Sequence, residues 1–111
     1  MLERLRAGGP AAPVGVLILG RVRPDEARRV AGWLADGSRR LLIHVMSVGG
    51  GETEQLLTQL RELEGPLALE RLAVVSHHFR LQVLPRELLG EAEVAHFGQA
   101  ELADAWAWVA E

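Results

Sequence analysis

"RRLLIHVMSVGGGETEQLLTQLREL", residues 39–63, joins two different periodicities across three glycines. Its first part holds a short, branched apolar run, Leu41 to Val45, with the length and composition of a strand buried on both faces. In its second part Leu56, Leu57, Leu60 and Leu63 stand at offsets of one, four and seven, the stripe of an amphipathic helix. Gly49, Gly50 and Gly51 form the connection. A strand that feeds a helix in this way is half of a β-α-β unit, so the fold turns on whether the alternation repeats.

It repeats in both directions. Upstream, "VGVLILG" (14–20) is another continuous apolar run, and "RPDEARRVAGWLADG" (23–37) carries helix signals. Pro24 suits a first helical position, Asp25 and Glu26 complement the positive end of the dipole, and Gly37 can close the helix. Ala27, Val30, Ala31 and Leu34 make its inward stripe. Downstream, "ERLAVVSHH" (70–78) predicts a strand, "FRLQVLPRELLG" (79–90) a helix kinked or ended near Pro85, and "AEVAHF" (92–97) a strand. "GQAELADAWAWVAE" (98–111) predicts a helix with Leu102, Trp106 and Val109 on one face. At the front, "MLERLRA" alternates apolar and charged residues and, through "GGPAAP", can pair as an edge strand with residues 14–20. The expectation is an α/β fold, a mixed sheet of about five strands with about four helices, in a single domain spanning residues 1–111.

Composition removes whole classes of function. Apolar residues are 49% and charged residues 24%, the balance of an ordinary folded protein. All twelve cations are Arg, scattered from Arg4 to Arg86 in a chain of net charge -3, so a nucleic-acid footprint is missing. With no Cys there are no disulfides, thiolate nucleophiles or thiolate metal ligands. No apolar run nears the roughly 20 residues that cross a bilayer, and the N-terminus lacks the layout of a secretory signal, so the expected location is the cytoplasm.

The C-terminal third, with Arg71 to Val75, Ala92 to Val94 followed by Phe97, and Ala107, Trp108 and Val109, resembles the SpoIIAA-like family of STAS-type domains. "GRVRPDEARRV" (20–30) is similar to that family's lead into its first helix. The resemblance implies a STAS-like fold, whose topology is also similar to that of CRAL-TRIO lipid-binding domains. It further implies a regulatory role: related STAS proteins are anti-sigma-factor antagonists phosphorylated at the start of the helix after the central strand. Thr53, preceded by Glu52, occupies the matching position here. The chain departs from the pattern in having His44 in the strand, three loop glycines, and no Asp-Ser pair.

Individual residues offer little chemistry beyond that. The glycine loop has neither the Gly-Lys-Ser/Thr ending of a P-loop nor dinucleotide-fold spacing, which leaves a turn as its plain role. Thr53 can cap the following helix or lie on the surface. His44, His77, His78 and His96 fit no metal-ligand spacing, and Ser38, Ser47 and Ser76 stand in no nucleophile elbow. Trp33 and Trp108 project about 100° from the centre of their helices' apolar stripes, at the boundary of the core. The function expected is a non-catalytic STAS-like regulatory or protein-interaction module without cofactor or metal. Its partner is another protein, contacted through Gly49, Gly50, Gly51, Glu52, Thr53 and Trp108, with Thr53 as candidate phosphoacceptor. The alternative is a carrier of a small apolar or lipid-like ligand.

Overall fold

Alternation of branched strands with striped helices produces a five-stranded sheet in the computed structural model, which describes residues 2–6, 12–35, 39–46, 51–64, 69–76 and 90–111. The strands are β1 (Leu2–Arg6), β2 (Val14–Ile18), β3 (Arg40–Val45), β4 (Arg71–Val75) and β5 (Glu93–Phe97). The helices are α1 (Pro24–Leu34), α2 (Glu52–Glu64) and α3 (Leu102–Ala110), the last preceded by a 3-10 turn over Gln99–Glu101. The helix expected over residues 79–90 lies outside the described residues as far as 89, as do the first four residues of the turn expected over 8–13, so three α-helices are described where about four were expected.

Strand order across the sheet is β1-β2-β3-β4-β5, identical to chain order. The β1–β2 pair is antiparallel and the other three pairs are parallel, which is the mixed sheet the sequence predicts. Because β2 to β3 and β3 to β4 both step in one direction, right-handed crossovers place α1 and α2 on the same face. Odd and even strand positions then belong to different cores. Val14, Val16 and Ile18, Leu41, Ile43 and Val45, and Leu72 and Val74 meet Ala27, Val30 and Ala31 of α1 and Leu56, Leu57 and Leu60 of α2. Leu42, Ala73 and Val75 meet Ala105, Trp106 and Val109 of α3 on the opposite face.

One expected core position is corrected. Leu63 is 43% exposed. At about 100° per residue, Thr53, Leu56, Leu57 and Leu60 fill one arc, and Leu63 lies about 70° from its centre. The stripe therefore begins one turn earlier than the leucines alone suggest and leaves the sheet before Leu63.

Each helix of the first face is fastened at its start. Burial by itself would raise the pKa of Glu26, which is 1% exposed, but its carboxyl is held below the usual carboxylate value. The offsetting causes are hydrogen bonds from the backbone N–H groups of Arg23 and Leu2 and the Arg23 charge. The Arg23 N–H donates to Glu26 Oε1 at 3.0 Å, closing half of a capping box around Pro24. Arg29 donates to the Leu2 carbonyl at 3.5 Å, and Arg4 lies 5.2 Å over the Trp33 ring, so α1 holds the edge strand through polar and cation–π contacts as well as apolar ones.

Candidate functional site

The segment from β3 into α2 is where the sequence concentrates its candidate residues. Gly51 precedes the first helical residue with φ +89, a left-handed conformation that side chains rarely adopt. Its carbonyl accepts the first helical bond, from the Gln55 N–H at 2.8 Å. Gly51 is thus the N-cap, and Glu52 and Glu54 place acidic side chains in the first turn, where the dipole favours them. Gly49 and Gly50 lie outside the described residues.

Thr53 is corrected in one respect. It is neither cap nor surface residue: it is the second residue of α2 and only 6% exposed. The reason is the stripe described above, in which Thr53 stands three, four and seven residues before Leu56, Leu57 and Leu60. Glu54 beside it is exposed, and Glu52 and Gln55 are half-buried.

Two glutamines join this turn to the β2–α1 connection. The buried Val22 donates its N–H to Gln55 Oε1 at 3.1 Å, and Gln59 Nε2 donates to the Val22 carbonyl at 3.2 Å. Both backbone groups of Val22 are thereby satisfied by side chains one helical turn apart, as a neighbouring strand would satisfy them. Among the described residues Gln59 Oε1 is buried without a hydrogen-bond partner. Clefts flank the turn on two sides: one of about 340 Å³ lined by Arg21, Gly51, Glu52 and Gln55, another of about 360 Å³ lined by Gly51, Glu54, Gln55, Thr58 and Gln59.

Trp108 sits elsewhere. It is half-buried on α3, with its ring centroid 6.1 Å from that of Phe97 and Arg71 5.1 Å above it. Arg71 also donates to the Trp108 carbonyl at 2.6 Å, and Arg40, its neighbour in register, donates to the Val109 carbonyl at 3.1 Å. Two like charges side by side on a sheet ordinarily repel. Here they complete the orphan carbonyls at the C-terminus of α3, and Glu70, Glu93 and Glu111 lie within 4 Å of them. Since Arg71 opens β4 and Gly51 follows the end of β3, Trp108 and Gly51 occupy opposite faces and opposite ends of the sheet.

The histidines do not converge either. His44 Nε2 contacts Gln99 Oε1, and Gln99 Nε2 donates to the Val45 carbonyl at 3.0 Å. With the amide oriented by Val45, His44 must be the donor, which fixes its proton on Nε2. His96, on β5 opposite Val74, has a pKa lowered by burial. His77 and His78 lie outside the described residues, as do Ser38 and Ser47. Among the described residues no three His, Asp or Glu side chains are grouped to hold a metal ion, and no helix is long and apolar enough to cross a membrane.

Sequence reasoning missed Gln55, Gln59 and the buried role of Glu26. For Glu26 a signal existed in the Arg-Pro-Asp-Glu spacing, which puts a carboxylate at the third helical position. For the glutamines none did, because polar residues beside a leucine stripe ordinarily face water.

Comparison with known proteins adds one positive finding. The family model described as SpoIIAA-like matches residues 14–110. No curated protein and no solved structure matches the chain.

Proposed function

The chain belongs to the SpoIIAA-like family, and from that premise we propose that it is a non-catalytic, cytoplasmic regulatory module, one domain over residues 1–111, that binds another protein. The contact surface is the glycine turn and first turn of α2, comprising Gly49, Gly50, Gly51, Glu52 and Thr53, with Thr53 as phosphoacceptor. One observation carries the placement. An acidic helix start with exposed Glu54 and half-buried Glu52 is bordered by two open clefts, in the position where STAS relatives are modified. Trp108, on the opposite face, is a second and separate contact under this reading.

The test is affinity capture from the native host with three baits: the unsubstituted chain, a Glu52→Arg/Glu54→Arg variant, and an Arg28→Glu control on the exposed side of α1. A protein retained by the first and third but lost from the second supports the surface. A capture unaffected by the α2 charges, or no retained protein at all, counts against it. Mass analysis of Thr53 in protein from the same host reads the modification directly. The apolar-carrier alternative draws no support from the clefts at Gly51, whose other lining residues are polar or charged. A ligand mass persisting in native mass spectra would revive it.

A further inference from the structure

We propose that the first turn of α2 is a gated element, hinged at Gly51 and latched by Gln55 to Val22, and that Thr53 becomes accessible only when the latch opens. The inference rests on the reading of Thr53 as the acceptor for its purpose, though not for its physics. A residue that is 6% exposed gives a modifying enzyme or a partner no room to surround its side chain while the turn is seated. Two of the bonds that hold the turn are local to it. The Val22 N–H to Gln55 Oε1 bond, at 3.1 Å, ties it to the β2–α1 connection, and the Gln55 N–H to Gly51 carbonyl bond, at 2.8 Å, closes the turn itself. Opening breaks both, together with the helical bonds that the carbonyls of residues 52–55 accept from the next turn, while the side chains of Leu56, Leu57 and Leu60 remain in the core.

Three features make this the segment that opens. Gly51, at φ +89, can exchange one backbone conformation for another without a side-chain clash, as a hinge requires. The clefts of about 340 and 360 Å³ on its flanks leave space for the displaced turn. Gln59, one turn further along, keeps its own bond to the Val22 carbonyl, so the Val22 backbone stays anchored while its N–H is released. The latch therefore sets the fraction of molecules in which Thr53 can be touched, and a partner that engages Arg21 or Glu52 in the cleft shifts that fraction by binding the open form.

The chain contains no Cys, so a Thr53→Cys variant carries one thiol whose rate of reaction with a disulfide reagent counts openings. Glu54→Cys, on the exposed side of the same turn, is the reference. The expected result is that Thr53→Cys reacts at least about tenfold more slowly than Glu54→Cys, with little dependence on low urea. Adding Gln55→Leu speeds Thr53→Cys by about fivefold to tenfold, the weight of one hydrogen bond, and leaves Glu54→Cys unchanged. Equal reactivity of the two thiols, indifference to Gln55→Leu, or a rate that follows global unfolding in urea would overturn the proposal. Hydrogen exchange on the unsubstituted chain gives a second reading free of any destabilising change. The Val22 and Gln55 amides should exchange together and faster than the Leu60 and Arg61 amides, whose helical bonds go to Leu56 and Leu57; exchange at the core rate would overturn it. Neither readout involves a kinase. Loss of gating would leave the modification of Thr53 standing, and an unmodified Thr53 in native protein would leave the gate standing.

Discussion

Among the described residues, the two faces of the sheet are held by different means. On one, two helices bury aliphatic stripes and fix their first turns by side-chain bonds to backbone, through Glu26 for α1 and Gln55 with Gln59 for α2. On the other, one short helix rests on a narrow cluster around Trp106 and is secured at both ends by residues of the strands and their connections: Gln99 bonds the Val45 carbonyl at the start, and Arg40 and Arg71 bond the carbonyls of the last turn. The first face is stabilised mainly by area, the second by fit and by caps. That difference predicts where the molecule tolerates change.

The most damaging substitution should be on the narrower face. The Trp106 ring packs against Gly15, so a β-carbon there would fall 2.6 Å from Trp106 Cζ2 and closer still to Cη2. Gly15→Val forces the indole out of its site and should cost about 4 kcal/mol, a large part of the stability of a chain this size, with a red-shifted tryptophan emission. A cost under about 1 kcal/mol in urea denaturation would show that α3 is free to shift, and the contrast between the faces would fail.

Next comes Glu26→Gln, which keeps the shape but removes the charge that Arg23 and Arg29 face at 3.7 and 3.9 Å. A loss of about 2 kcal/mol at neutral pH is expected. The folded pKa lies below the unfolded one, so this stabilisation is fully present above the unfolded value near 4.3 and disappears as pH falls through the folded value. Stability measured against pH should therefore decline in acid for the unsubstituted chain and decline less for the variant. Parallel curves would show that Glu26 is not the group responsible.

Smaller effects separate the caps from the area. Arg71→Met keeps apolar cover on Trp108 but loses the bond to its carbonyl and the pairing with Glu93 and Glu111, for about 1 kcal/mol. The loss should appear as a changed near-ultraviolet dichroism from the Phe97 and Trp108 pair, and an unchanged signal would deny the capping role. Smallest of all is Leu63→Ala, expected within about 0.5 kcal/mol because the side chain is already 43% exposed. Leu60→Ala, fully buried one turn earlier, provides the contrast at about 3 kcal/mol, and similar costs for the two leucines would mean that the stripe runs where the sequence first placed it.

Much of the architecture was legible because strands and helices carry different periods. Leu41 to Val45 and Arg71 to Val75 read as buried strands, and Ala27, Val30 and Ala31 as an inward face, and the structure places them so. Trp106 in the core and Trp33 and Trp108 at its boundary followed from the same angular reasoning. What could not be read was the sense of a polar residue at the margin of a stripe. Thr53 looked like a cap because threonine often is one, yet its angular position aligns it with three buried leucines. Gln55 and Gln59 drew no reading because nothing in a single sequence marks the distant backbone N–H and carbonyl of Val22 as lacking partners. The candidate site was thus legible as a location, while the bonds that close it depend on a contact 33 residues away.

The identity of strand order and chain order has a consequence for how the molecule comes into being. Every strand docks on the one made just before it, so loop closures are short and the sheet can grow in step with synthesis. The face that receives α3 has no such gradual history. Among the described residues, Leu42, Ala73 and Val75 receive their helical cover only from α3, which follows all five strands, so that apolar strip is a surface in need of protection on a nascent chain.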